Sequence, residues 1–429
     1  MHRSTLKPTL GAALFIPCLL LTACAPEAGL GHPPANPETP LLSSAPPVHK
    51  GYRWNTSSGR LEVVHYAKVD GQAVVEGDIV IGPVEEVEAL TREVEARGKP
   101  EAERVYAQGV IRSGENRVTR WANAVVPYTI HSALPDPSRV TGAIAAWQAN
   151  TRVRFVPRTT SNATQYPDYV TFQPAIGVCR SEVGMAGGQQ MVNLDPGCYE
   201  GTVIHEIGHV LGLWHEQSRE DRNLFVSIQW DNIDPAYARN FDQHISDGDD
   251  KLTYDYGSIM HYGPYDFSKN GLPTIVPLQN VVIGQRTVLS SGDTASIRLI
   301  YSIDDTDYFV QQTYLDVLKS KPDMVWYGYY VNYLKSCQGA SACLTAARTA
   351  VARAVLESPE NRQQDPELDP ASPGYNAAFV THCYTNFLQR QPSASEHAYW
   401  LNALNAGGTY SDVVRGFITS PEYRQRFGS

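Results

Sequence analysis

The chain has 429 residues, more than one ordinary core accommodates, so two or three folded units of roughly 100–200 residues are expected. With 42% apolar and 19% charged residues it has a soluble globular balance. The net charge of −10 argues against a nucleic-acid partner, which normally shows a basic face, and reads as a solvated acidic surface.

At the N-terminus, basic Arg3 and Lys7 precede an apolar run from Leu10 to Ala23. That run is shorter than the ~20 residues a membrane helix needs, and reads as a secretory signal. It ends in Leu21-Thr22-Ala23-Cys24, which resembles the lipobox of bacterial lipoproteins: small residues admit the peptidase, and the Cys24 thiol carries the lipid. The expectation for residues 1–24 is therefore an exported, lipid-anchored protein. The alternative is an ordinary cleaved signal and a secreted product in which Cys24 is incidental. No other segment is apolar enough to span a membrane. Export permits disulfides; of the 7 cysteines, Cys18 and Cys24 belong to the leader, and the odd remainder leaves one thiol unpaired.

Residues 25–58 are rich in Pro, Ala, Ser and Gly and read as a tether. In residues 59–120, the alternation Leu61-Glu62-Val63-Val64-His65-Tyr66, the turn signal Asp70-Gly71 and the run Ala73-Val74-Val75 predict a hairpin. Glu85 to Arg97 predicts a helix. This unit is too short to bury much alone and is expected to pack on the segment C-terminal to it.

Residues 121–303 hold the chemistry. A strand is expected at Ala124–Ile130, a helix from Val140 to Thr151 and a strand at Val153–Val156. The segment His205-Glu206-Ile207-Gly208-His209-Val210-Leu211-Gly212-Leu213-Trp214-His215 then places two histidines four apart, on one face of a helix, where both imidazoles reach one ion. Glu206 falls beside them. Gly212 can take a positive φ that ends the helix, so that His215 returns to complete a three-nitrogen face with an open position for water. Imidazole ligands in an exported protein favour one zinc ion per chain. Zinc held by three neutral ligands lowers the pKa of bound water from about 15.7 towards 7. Glu206 is the candidate general base that takes the water's proton and passes it to the leaving amine.

The extended motif, followed by Glu216 and by Ser258-Ile259-Met260-His261-Tyr262, resembles the astacin family of metzincin zinc peptidases. The resemblance extends to Ser218-Arg219-Glu220-Asp221-Arg222, to the run from Val226 to Ile233, and to Thr274-Ile275-Val276-Pro277-Leu278. It implies an α+β catalytic domain: an upper lobe with a mixed sheet and the active-site helix, an irregular lower lobe, and a cleft in which a protein or peptide substrate lies as an added strand. It also implies that Met260 forms a turn beneath the metal, and that Tyr262 is a further zinc ligand that swings aside to stabilise the oxyanion. Of the family's two catalytic-domain disulfides, Cys179 and Cys198 fit one, while Arg152 stands where a cysteine of the other aligns. Val75-Glu76-Gly77-Asp78 resembles the Phe-x-Gly-Asp switch of the family's pro-segments, which implies that Asp78 binds zinc in a latent precursor; a plain Gly-Asp hairpin turn is the alternative. Glu216 meets the new N-terminus in animal relatives, but no Ala-rich cleavage site precedes Trp121.

Residues 304–429 contain an internal repeat, expected to be all-α. Phe309-Val310, Tyr314, Leu318, Tyr330, Asn332 and Leu334 match Phe379-Val380, Tyr384, Leu388, Trp400, Asn402 and Leu404. The first copy carries an insertion with Cys337 and Cys343, which would close it as a small disulfide; Cys383 is expected to be a buried thiol. The copies resemble small helical domains of uncharacterised function appended to bacterial extracellular proteins, with Tyr399-Trp400 and Ser420–Arg424 carrying the match. Two functions of different classes stand at this point: a zinc endopeptidase, and a lipid-anchored adhesion protein whose metal site is vestigial. The oligomeric state is not readable.

Overall fold

A computed structural model describes residues 47–55, 60–96, 120–244, 250–322 and 324–428. The leader, Cys24 and its lipobox lie outside the described residues.

The first elements are strands β1 (Val48–Asn55), β2 (Arg60–Val69), β3 (Gln72–Val75) and β4 (Ile79–Pro83), with helix α1 (Val84–Ala96) after them. Asp70 and Gly71 take φ of 50° and 78° between the paired residues Val69 and Gln72, the two-residue hairpin turn that Asp-Gly favours. One boundary needs correcting: residues assigned to the tether by composition form β1, which pairs antiparallel with β2 from Val48↔Ala67 to Asn55↔Arg60. Gly51 lies there directly beneath Tyr66, Val87 and Thr91, and the Tyr52 N–H donates to Thr91 Oγ1 at 3.1 Å, so α1 packs onto the hairpins. Composition averages over the whole stretch and passes over Val48, Tyr52 and Trp54, whereas the strand is set by its pairing with β2 and by the room Gly51 leaves for α1.

The catalytic segment adds β5 (Val125–Ile130), α2 (Ser138–Asn150), β6 (Arg154–Pro157), β7 (Tyr169–Pro174), β8 (Cys179–Glu182), β9 (Gln189–Leu194) and α3 (Glu200–Val210). All nine strands so far form one sheet of order β1-β2-β3-β4-β8-β9-β7-β5-β6. The joint is the parallel pair β4–β8, with Ile79 opposite Ser181 and Val80 opposite Glu182. The N-terminal hairpins therefore continue the sheet beyond β8. The lower lobe is irregular, with a two-stranded ribbon of β10 (Val226–Ile228) and β11 (Ile275–Pro277). Its small core contains Val226, Ile233, Phe241, Tyr254, Tyr262 and Ile275. The lobe closes with α4 (Ser291–Ile300), started by a Ser290–Asp293 capping box. The expected Cys179–Cys198 and Cys337–Cys343 disulfides are both formed, and Cys383 is a buried free thiol.

The C-terminal part is helical: α5 (Thr306–Leu318), α6 (Met324–Lys335), α7 (Ser341–Leu356), α8 (Pro359–Gln364), α9 (Tyr375–His382, continued by a π-turn over Cys383–Leu388), α10 (Ala394–Asn405), α11 (Tyr410–Ile418) and α12 (Pro421–Gln425). The aromatics do not share one environment: Tyr423 is fully buried, whereas Tyr399 is 68% exposed. One continuous apolar cluster runs from Trp121 and the catalytic sheet through Tyr301 and Tyr308 to Phe427. Arg152 bridges the two parts. Its guanidinium donates to the Tyr301 carbonyl and, at 3.2 Å, to the Arg426 carbonyl, and lies 5.6 Å from the Phe427 ring centroid. Buried Gln311 donates to the Arg120 carbonyl at 2.6 Å, and buried Gln312 to Asn123 Oδ1 at 3.0 Å.

With Phe427 only 1% exposed in a shared core, Phe427→Ala is expected to cost about 3–5 kcal/mol. Chemical denaturation monitored by fluorescence should show the loss as one transition that includes the catalytic part.

Candidate metal centre

Helix α3 is buried along its length from Gly201 to Val210. A helix so enclosed must find partners for its last carbonyls inside the protein. The Trp121 indole donates to Val210 O at 2.8 Å and the Tyr301 hydroxyl to Leu211 O at 3.2 Å, while the Trp147 indole donates to Ile204 O, within the helix, at 2.9 Å. The helix ends where Gly212 takes a φ of 108°, with the Gly212 N–H donating to His209 O at 2.7 Å and Leu213 N–H to Gly208 O at 3.0 Å. The reversal brings His215 back beside His205 and His209. Beneath the helix lies Met260, whose Sδ would be only 2.4 Å from a Cβ added at Gly208; a larger residue there would displace either the helix or the turn.

The turn from Ser258 to Tyr262 is fixed by Asp293, which accepts from Ser258 Oγ at 2.6 Å and from the Ile259 N–H at 3.0 Å. It is tied to the motif by the Glu216 N–H, which donates to Met260 O at 3.1 Å, and by Gln217 Oε1, which accepts from the Tyr262 N–H at 3.0 Å.

His205, His209 and His215 are each no more than 1% exposed. His205 Nδ1 donates to Ile259 O and His209 Nδ1 to Leu213 O, both at 2.8 Å, and His215 Nδ1 bonds Glu76 Oε2 at 2.6 Å. With Nδ1 as the donor, a neutral ring turns its Nε2 lone pair inward. The three Nε2 atoms accordingly converge, His205 lying 3.1 Å from His209 and 3.3 Å from His215. Asp78 joins them: its Oδ2 is 3.3 Å from His205 Nε2 and 3.2 Å from His215 Nε2. One ligand atom from each of the four residues lies within 4.8 Å of the others. Asp78 Oδ1 is buried with no hydrogen-bond partner. Converging lone pairs around an unsatisfied carboxylate are stable when a cation lies among them, so these residues fit a metal ion, and the nitrogen-rich donor set fits zinc.

The ionisable groups buried in this cluster perturb one another strongly. Burial opposes charge on Asp78, but His215, His205 and His209 outweigh it and hold the carboxyl well below its usual range. Burial likewise opposes charge on Glu76, yet His244 and His215 lower it to about 2. His215, despite burial, rises to about 9 against Asp78 and Glu76, whereas burial and the neighbouring His205 and His215 push His209 well below 6.5.

Asp78 is positioned by the β3–β4 turn. Glu76 and Gly77 have φ of 53° and 88° between the paired Val75 and Ile79, and Ser181 N–H donates to Asp78 O at 3.0 Å. Residues 76 and 77 thus form the hairpin turn between β3 and β4, and Asp78 stands at its end. Glu206 is 1% exposed and its Oε2 accepts from Ser181 Oγ at 2.8 Å. The Tyr262 hydroxyl donates to the Glu76 carbonyl, so Asp78 rather than Tyr262 completes the cluster in this arrangement. Burial, and after it Asp78 and Glu76, raises the Tyr262 pKa well above 10 and keeps it a donor. Glu216 accepts from the Asp255 N–H at 2.7 Å, and burial pushes its carboxyl up to about 8. Sequence reasoning missed Ser181, Asp293, Glu76 and His244 as parts of the site. Only Glu76, inside a recognised motif, carried any signal.

A family profile described as Astacin (Peptidase family M12A) matches residues 113–302, and one described as Domain of unknown function (DUF4214) matches residues 372–427. Zinc metalloproteinase nas-13 of Caenorhabditis elegans is 41% identical over 189 residues, covering 43% of this chain and 41% of the relative. Protein SpAN of Strongylocentrotus purpuratus is 39% identical over 198 residues, covering 44% of this chain and 32% of the relative. High choriolytic enzyme 1 of Oryzias latipes is 40% identical over 185 residues, covering 42% and 66% respectively. The solved structure of that hatching enzyme zinc-protease is 39% identical and covers 42% of this chain and 90% of its own, with a TM-score of 0.38. The chain spans between 32% and 66% of the length of these three curated relatives.

Elemental analysis of the purified protein should find one zinc per chain, and His209→Ala should reduce that ratio close to zero while near-ultraviolet circular dichroism is retained.

Proposed function

Residues 113–302 form a domain of the astacin family, peptidase family M12A, and from that premise we propose that the chain is a zinc-dependent metalloendopeptidase made as a latent precursor. The observation that carries this reading is the convergence of His205, His209, His215 and Asp78 within 4.8 Å, with Glu206 buried beside them. Its substrates are the internal peptide bonds of extracellular or periplasmic proteins. Its relatives include a zinc metalloproteinase and a hatching enzyme zinc-protease.

His205, His209 and His215 would hold the metal. When bound, zinc supplies Lewis acidity that polarises a carbonyl oxygen and acidifies a water molecule towards neutral pH. Glu206 accepts the proton of that water and delivers it to the leaving amine nitrogen, with Ser181 Oγ holding the carboxylate in place at 2.8 Å. The Tyr262 hydroxyl, released from the Glu76 carbonyl, donates to the oxyanion. Met260 and Gly212 keep the third ligand in place.

Latency has two supports. Asp78 Oδ2 stands among the three histidine Nε2 atoms, where it would bind the metal alongside them, and β4 covers β8, the sheet edge on which a peptide would lie. Removal of residues up to about 120 exposes both. A membrane held through lipid on Cys24 keeps the peptidase at the cell surface, and the two halves of residues 304–429 are copies of one helical unit. The rival reading, an adhesion protein with a vestigial metal site, has the complete ligand set against it.

Casein cleavage by the activated protein should stop on chelation, return with zinc, and fall by about 10²–10⁴-fold in Glu206→Ala; full activity in that variant overturns the mechanism. Asp78→Ala should give the full-length chain measurable activity without proteolysis, but less than the processed protein, because β4 still covers the β8 edge. Cys24→Ala should move the protein from the membrane fraction to the soluble one, as immunoblotting of fractionated cells would show.

A further inference from the structure

Two of the three histidines have their outer hydrogen-bond partner inside the catalytic domain: Ile259 O for His205 and Leu213 O for His209. The third does not. His215 Nδ1 bonds Glu76 Oε2 at 2.6 Å, across 139 residues of sequence, and Glu76 belongs to the N-terminal hairpins. Glu76 is only 5% exposed, and its other carboxylate oxygen is taken by His244 Nε2. His244 is itself fixed: its ring stacks on Trp214 with centroids 4.0 Å apart and 26° between planes, and its backbone N–H donates to Ser218 O at 2.8 Å. Arg53 of β1 lies 5.3 Å from the Trp214 ring, so the same indole also meets the hairpins directly.

The backbone at this position makes the side chain more telling. Glu76 has a φ of 53°, a left-handed conformation that favours glycine and disfavours other residues. A turn built for shape alone would be more stable with glycine there. The carboxylate at residue 76 is instead buried between two imidazoles, where an acid without partners would be strongly disfavoured.

We propose that Glu76 is a second contact of the pro-segment with the metal centre, independent of Asp78: its carboxylate orients His215, His244 holds the carboxylate, and metal retention is thereby tied to the docked pro-segment. An outer partner that fixes the ring and tautomer of a metal histidine raises metal affinity, by about 10–100-fold in sites where it has been removed. The precursor therefore holds zinc more tightly than the processed enzyme, which loses both the Asp78 ligand and the Glu76 partner. This rests on the reading of the site as a zinc centre.

The test uses the full-length precursor loaded with zinc and mixed with excess chromophoric chelator, the rate of zinc transfer being read from absorbance. Glu76→Gly is expected to release zinc about 10–100-fold faster than the wild-type precursor while Asp78 and all three histidines remain. Glycine suits the backbone, so a merely structural role for residue 76 would leave the release rate unchanged and the melting temperature equal or higher; that pair of results overturns the proposal. Should Glu76→Gly fail to fold, His244→Ala carries the test, since it leaves Glu76 and the turn intact. Faster release supports the proposal, and a wild-type rate overturns it. A wild-type precursor that binds no zinc refutes the zinc reading itself, whereas tight wild-type binding with unchanged variants refutes only the role of Glu76.

Discussion

Three imidazole lone pairs pointed at one place is the arrangement on which the rest of the structure depends. Left alone, such rings would rotate to donate or to reach water. They are kept inward because each Nδ1–H is engaged, by Ile259 O, by Leu213 O and by Glu76. Those partners come from a loop below the helix, from the turn that ends it, and from a strand turn far upstream. In this arrangement the three rings are therefore held jointly by the lower lobe, the helix that carries two of them and the N-terminal hairpins.

The helix carrying two of the ligands has no solvent to satisfy its carbonyls. Trp121, at the start of the catalytic segment, and Tyr301, at its end, supply donors to Val210 and Leu211. Both residues also belong to the apolar cluster that continues into the C-terminal helices. Arg152 hydrogen-bonds Tyr301 and Arg426, and the planar fork of its guanidinium reaches both carbonyls at once. The C-terminal helices are thus packed as part of the same interior, and the position of the active-site helix is coupled to them.

Ser181 shows how the sheet and the chemistry meet. Its backbone belongs to β8, its N–H binds Asp78 O, and its hydroxyl binds Glu206. A strand added to this edge is necessarily placed against the general-base candidate and the three histidines. On the proposed reading, one surface first accepts the inhibitory strand and then the substrate, by the same main-chain hydrogen bonding.

The sequence alone determined everything that depends on local spacing. Two histidines four apart share a helix face, Gly212 reverses the chain, Asp70-Gly71 closes a hairpin, and a helix comes after it at Val84–Ala96. The nearby cysteines 337 and 343 could also be paired, because a short loop leaves few partners. The tertiary structure decided what depends on distant segments meeting. It gave His215 its partner Glu76 across 139 residues, Glu206 its partner Ser181, and the Met260 turn its anchor Asp293. It also turned the last residues of an apparent tether into β1, and placed Tyr262 on the Glu76 carbonyl rather than at the metal cluster. Ser181, Asp293 and Gly51 carry no periodicity or motif of their own. Their roles arise from burial, which leaves each polar group only the partner that the fold brings within reach.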